Sequence, residues 1–289
     1  MVETDKVVFL HTPKTGGAAM QFYMCRQFMA VRKNYFLSFA GIDDSRYDGD
    51  DDTFAAPRPG GNQCVIERIF DEPARVDAFR HNSHFQRAKV LCGHTTCSFA
   101  TLFPEYRFQY LTVLREPIER TISNIAQLSP AFPTHVAFGA HQTSAPKFSD
   151  DYWEFIFDIL TRGYPVEGLM VHENLYLRNC MTRILQGSKY RDVHEEPTLN
   201  QALGNAMRIQ ISFFDDFNAG LQRSFDVLGI PIDMSGNLRA RHGMPDVDPV
   251  KRPLGRYCNA PRKLIDFVIE HNQTDIQLYA TLRAWASET

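Results

Sequence analysis

The run Lys6-Val7-Val8-Phe9-Leu10-His11 halts at Pro13, and a glycine pair, Gly16-Gly17, follows at once. A short apolar run of β-branched and aromatic residues with no polar alternation predicts a strand covered on both faces, as in a parallel sheet. Beyond the glycines, Phe22, Cys25, Phe28, Met29 and Arg32 keep a helical period with apolar residues on one face. A strand, a glycine turn and a helix in that order form the first part of a crossover unit. This arrangement commits the chain to an α/β fold.

The rest of the chain repeats the alternation. Residues 63–70, 89–94 and 109–115 are strand candidates rich in β formers, the last reading Gln-Tyr-Leu-Thr-Val-Leu-Arg. Pro117 suits the first turn of a helix, and Ile118, Ile122 and Ile125 follow at near-helical spacing. Helices are expected over 151–162, 173–186, 198–207, 216–228 and 261–285, with a strand over 209–214. The expectation is therefore a single domain over residues 1–289, with a central, mainly parallel sheet flanked by helices. Residues 43–52 carry six aspartates between glycines and read as a solvated loop, because they lack the ligand order of an EF-hand.

Composition narrows the partners. A net charge of −3 excludes a strongly basic nucleic-acid binder, and 44% hydrophobic residues exclude a disordered chain. No apolar run reaches the roughly 18–20 residues of a membrane span, and the first apolar run is too short for a signal peptide. A soluble, cytoplasmic protein is expected. The six cysteines are too few for a disulfide scaffold in 289 residues. Cys92 and Cys97 flank His94, but the spacing is not that of a zinc knuckle, so no metal is expected.

The chemistry concentrates in His11-Thr12-Pro13-Lys14-Thr15-Gly16-Gly17-Ala18-Ala19. Glycines let a backbone approach an anion closely, and the N-terminus of the following helix offers unpaired N–H groups and the positive end of its dipole. Lys14 adds a full charge and Thr15 a hydroxyl, while His11 begins the turn and braces it. The loop lacks the Gly-x-x-x-x-Gly-Lys-Ser/Thr of a nucleotide triphosphatase and the Gly-x-Gly-x-x-Gly of a dinucleotide site. A second constellation, Arg115 at a strand end and Ser123 on the next helix, would face the same crevice if the two strands are neighbours. Two anion loops suit the two ends of a doubly phosphorylated nucleotide.

These residues resemble the sulfotransferases that use 3′-phosphoadenosine 5′-phosphosulfate (PAPS), closest to the branch of carbohydrate O-sulfotransferases acting on heparan and chondroitin. Phe9-Leu10-His11-Thr12-Pro13-Lys14-Thr15-Gly16-Gly17-Ala18-Ala19 is similar to that branch's Phe-Leu-His-Ile-Pro-Lys-Thr-Gly-Gly-Thr-Ser. Thr112-Val113-Leu114-Arg115-Glu116-Pro117-Ile118-Glu119-Arg120-Thr121-Ile122-Ser123 is similar to its Thr-Val-Leu-Arg-Asp-Pro-Val-Glu-Arg-x-x-Ser. Weaker similarities follow in order: Gly93-His94 with Phe103-Pro104, then Asn179 with Met181-Thr182-Arg183-Ile184-Leu185, then Asn272 with Asp275-Ile276 and Leu278-Tyr279.

The resemblance implies a P-loop-like nucleotide-binding core with PAPS as co-substrate and no metal. Pro13, Lys14, Thr15, Gly16, Gly17 and Ala18 would hold the 5′-phosphosulfate, and Arg115 with Ser123 the 3′-phosphate. Lys14 would stabilise the leaving phosphate, and His94 would be the base, since an imidazole titrates near pH 6.5. Ala18-Ala19 depart from the family's hydroxyl pair, and Ile211-Ser212-Phe213-Phe214-Asp215 departs from its Val-Gly-Leu-Thr-Glu. The acidic balance favours a neutral or lightly charged acceptor, a sugar hydroxyl or a small metabolite, over a long polyanion. Two other classes remain open: a non-catalytic nucleotide-binding scaffold, favoured by Ala18-Ala19, and a magnesium-dependent kinase or triphosphatase, disfavoured by the missing lysine motif.

Overall fold

The computed structural model describes residues 6–13, 15, 36–38, 76–77, 80–81, 85–86, 88–93, 95–128, 177–187, 197–230, 260 and 262–288. Its strands are β1 (Lys6–Leu10), β2 (Phe36–Ser38), β3 (Val90–Gly93), β4 (Phe108–Leu114) and β5 (Ile209–Phe213). They form one five-stranded sheet in the order β2-β3-β1-β4-β5, and every neighbouring pair runs parallel. The helices are α1 (Pro117–Leu128), α2 (Cys180–Gln186), α3 (Leu199–Ala206), α4 (Phe217–Val227), α5 (Arg262–His271) and α6 (Gln273–Glu288).

All five residues of β1 are buried, because β1 is central and both of its faces are covered. Val8 and Leu10 join Leu91 and Leu114 beneath Cys180, Met181, Ile184 and Leu185 of α2, Ala202 and Ala206 of α3, and Leu278 and Leu282 of α6. Val7 and Phe9 face the other way, with Val90, Cys92, Leu111 and Val113 against Phe217, Leu221 and Phe225 of α4. The side-chain period of two thus divides each strand between two helical layers, which is the α/β architecture expected.

Strand order locates the crevice. After β1 the chain passes to the β2–β3 side of the sheet, and after β4 it passes to β5 on the other side. β1 and β4 are neighbours whose onward connections diverge, which makes their carboxyl ends the topological switch point.

Two helix expectations needed correction. The single helix expected over 261–285 is interrupted at Asn272, between α5 and α6. Within the helix expected over 173–186, Asn179 adopts a left-handed backbone (φ 50°) and α2 begins after it. One network explains both breaks, since asparagine tolerates that conformation and its side chain competes for backbone partners. The Asn272 amide donates to Leu177 O (2.8 Å) and Val268 O (2.9 Å), while its carbonyl accepts from Asn179 N (3.0 Å). Asp275 N donates to the Asn179 side chain (3.0 Å), and the Asp275 carboxylate accepts from Met181 N (3.1 Å) and Thr182 N (2.7 Å). The fully buried Asp275 carboxylate therefore satisfies the first amides of α2 from another helix.

β2, a strand of three residues, was not anticipated. The strand candidate at 63–70, the helices expected around 22–32 and over 151–162, and the acidic loop at 43–52 lie outside the described residues.

Candidate functional site at the carboxyl edge of the sheet

The turn after β1 is held from three directions. His11 N donates to Gly93 O at the end of β3 (3.0 Å), and Thr12 N folds back to Leu10 O (3.0 Å). Thr15 Oγ1 donates to Thr12 O at 2.8 Å and closes the turn. From β4, Thr112 Oγ1 donates to Leu10 O at 2.9 Å and lies 3.4 Å from Thr12 Oγ1. Since Thr112 has spent its single proton on Leu10, the Thr12 hydroxyl is the donor in that longer contact. Register makes this possible, because Leu10 stands opposite Thr112.

His11, Thr12, Pro13 and Thr15 are all buried. Thr15 therefore holds the turn with its hydroxyl proton, and the oxygen keeps its capacity to accept. Thr95, fully buried just beyond β3, has a hydroxyl with no hydrogen-bond partner among the described residues.

β4 delivers Arg115 to the same edge, one residue past its end. Arg115 donates from Nε (3.2 Å) and Nη2 (3.0 Å) to the same oxygen of Glu119. Its guanidinium carbon lies 4.8 Å from the centroid of the Phe214 ring. α1 begins with Pro117, where the missing N–H costs nothing, and the Glu116 carboxylate accepts from Glu119 N at 2.7 Å. Burial pushes the Glu116 carboxyl above its usual range.

Further along α1, Arg120, Thr121, Ser123 and Asn124 are all buried. Arg120 Nη2 donates to Thr121 Oγ1 (2.8 Å), and Thr121 Oγ1 reaches Asn272 Oδ1 at 3.5 Å. The helix carrying Ser123 is thereby tied to the Asn272–Asp275 network. Arg183 is buried and donates from Nε to Arg178 O (3.1 Å).

No protein family, curated protein or solved structure matches this chain.

Of the site residues expected from sequence, Pro13, Thr15, Arg115 and Ser123 are described. Pro13, Thr15 and Arg115 gather at the carboxyl ends of β1 and β4, and Ser123 lies two turns into α1. Lys14, Gly16, Gly17, Ala18 and His94 lie outside the described residues. Among the described residues no group of three His, Cys, Asp or Glu side chains is arranged to hold a metal. Burial raises the Cys97 thiol to about 12, so it is an inert thiol at neutral pH.

Sequence reasoning assigned no role to Thr112, Glu119 or Phe214. The first two stood inside the quoted motif. Only the pairing of β4 with β5 brings Phe214 to Arg115.

Proposed function

We propose that the chain is a PAPS-dependent sulfotransferase with a P-loop-like nucleotide-binding core, acting on a sugar hydroxyl or the hydroxyl of a small metabolite. The observation that supports this reading is the parallel pairing of β1 with β4 at the switch point. It brings the turn at Thr12–Thr15 and the guanidinium of Arg115 to one edge of the sheet, where a nucleotide with phosphates at both ends would lie across them.

In this reading sulfuryl transfer runs in line from the 5′-phosphate to the acceptor oxygen. Lys14 and the backbone amides of Gly16, Gly17 and Ala18 stabilise charge developing on the bridging oxygen as the S–O bond breaks. Arg115 neutralises the 3′-phosphate and fixes the nucleotide's register, with Ser123 contributing a hydroxyl. His94 follows β3, the neighbour of β1 on its other side, and accepts the proton of the acceptor hydroxyl. Thr112 and Thr12 brace the start of the turn after β1 from β4.

The test is a thermal-stability titration with 3′,5′-adenosine bisphosphate, against ADP and ATP with magnesium. A ligand at about 100 times its Kd adds roughly 2.7 kcal/mol to the folded state. Stabilisation by the bisphosphate alone, reduced in Lys14→Ala and Arg115→Ala, is the expected result. Preference for ATP with magnesium, or no binding at all, would overturn the reading. Acceptor panels with PAPS then identify the hydroxyl sulfated.

A further inference from the structure

The turn after β1 is fastened to its two neighbouring strands in different ways. On the β3 side the fastener is backbone, His11 N donating to Gly93 O at 3.0 Å. On the β4 side it is a side chain, since Leu10 O receives both the Thr12 N–H at 3.0 Å and the Thr112 hydroxyl at 2.9 Å. The Thr12 hydroxyl lies 3.4 Å from Thr112 Oγ1, and Thr12 O accepts from Thr15 Oγ1 at 2.8 Å. The hydroxyls of Thr112, Thr12 and Thr15 therefore link β4 to the turn residue that stands between Lys14 and Gly16 in the sequence. None of Leu10, Thr12, Thr15 and Thr112 is more than 1% exposed, so water does not compete for these bonds. A valine would fill position 112 with nearly the same shape and no polar atom to satisfy, whereas a buried hydroxyl is costly unless it is bonded. The hydroxyl at 112 is thus explained by what it holds.

We propose that Thr112 is a positioning residue for the anion turn: acting through Leu10 O and Thr12, it sets where Thr15 stands and so shapes the turn that takes the 5′-phosphate of the nucleotide. This role rests on the proposed function above. Thr112 acts on the ligand only through the turn, and a turn fixed before the ligand arrives gives up less freedom on binding. Thr12 stands where the sulfotransferase pattern carries isoleucine, so the second link of the chain of hydroxyls is a property of this protein.

The test measures binding of 3′,5′-adenosine bisphosphate and of adenosine 3′-monophosphate, which lacks the phosphate assigned to the turn, by calorimetry. The proteins are the wild type, Thr112→Val, Thr112→Ser, Thr15→Val and the double variant Thr15→Val with Thr112→Val. Thr112→Val is expected to weaken the bisphosphate roughly three- to fivefold, the scale of one net hydrogen bond, and to leave the monophosphate within about twofold. Thr112→Ser keeps the hydroxyl and restores affinity. Where Thr15→Val has already cut the link to the turn, Thr112→Val adds nothing further. If valine fails to fold, Thr112→Cys, similar in size and only a weak donor, replaces it in the series. Equal weakening of both nucleotides, an effect that adds to that of Thr15→Val, or a serine variant as weak as valine would mean a packing role and overturn the proposal. A wild type that prefers the bisphosphate while Thr112→Val retains its full affinity removes the positioning role alone. A wild type indifferent to the 5′-phosphate removes the proposed function and this role with it.

Discussion

Lys6 opens β1 at the amino edge of the sheet, and Arg115 follows β4 at the carboxyl edge. Lys6 is fully buried and donates to three carbonyls, Phe85 O (2.9 Å), Gln86 O (3.0 Å) and Ala88 O (2.6 Å). Its ammonium also lies 5.2 Å from the Phe85 ring centroid and 4.7 Å from that of Tyr106. All three donors are spent, so nothing is left for a ligand. Arg115 is instead 12% exposed in its side chain, and its contacts include a carboxylate oxygen of Glu119 and the ring of Phe214. The role of a buried cation follows from where its donors go. Three carbonyls make Lys6 a clamp on the segment leading into β3, whereas the carboxylate and the ring make Arg115 an oriented fork.

Lys6→Met tests this contrast most severely. It leaves three carbonyls without their donor, and a stability loss of about 3–5 kcal/mol is expected from the usual cost of orphaned buried acceptors. A urea midpoint unchanged by the substitution would show that the clamp is not needed. Next comes Arg115→Gln, expected to cost less stability than Lys6→Met, because the pair with Glu119 keeps some solvent contact and the carboxylate it leaves can be hydrated. The same variant should weaken 3′,5′-adenosine bisphosphate about tenfold to a hundredfold, as expected for losing charge-assisted hydrogen bonds. If it costs as much stability as Lys6→Met and leaves binding intact, the two cations have the same role.

Thr112→Val is expected to lose about 1 kcal/mol, the ordinary net value of one buried hydrogen bond, and is read from thermal melts. Its effect on nucleotide affinity should be smaller than that of Arg115→Gln, since it loosens the turn without removing charge. A loss of affinity greater than that of Arg115→Gln would move the centre of the site to the turn.

A pH dependence is also expected at the amino edge. Burial, with repulsion from Lys89 added, lowers the Lys6 ammonium from its ordinary value to about 8. Between about pH 8 and 10.5 the folded state therefore gives up this proton while the unfolded chain keeps it, and the contribution of Lys6 to stability rises with pH across that window. The melting difference between wild type and Lys6→Met should widen in favour of the wild type from pH 8 to 10. A flat difference would show that the ammonium stays charged in the fold.

Much of the scaffold was legible in the sequence. β1 announced itself through Val7, Val8, Phe9 and Leu10, and Pro117 marked the start of α1. The helices around Ala202 and Leu221 ended within a residue or two of the expected bounds. What failed was the continuity of two helices, at Asn179 and Asn272. Helical period sees only near neighbours, and the reason for both breaks is a network joining residues 93 to 96 positions apart. In the candidate site, Thr15 and Arg115 were visible as residue types in a pattern, but their partners were not.

Among the described residues no helix is long and apolar enough to cross a membrane, consistent with the absence of long apolar runs in the sequence. The alternation of strands and helices, the burial of β1 and the residues that carry charge at the two strand ends are all readable along the chain. Those properties follow from local period and composition. Only the tertiary structure decided that β4 and β5 end in register, which set Phe214 beneath Arg115, and that β1 runs between β3 and β4, which tied Lys6 to the segment before β3 and Thr112 to Leu10. The physical reason is that a side chain's period is written in its neighbours along the chain, whereas its hydrogen-bond partner is chosen by the order in which strands pair.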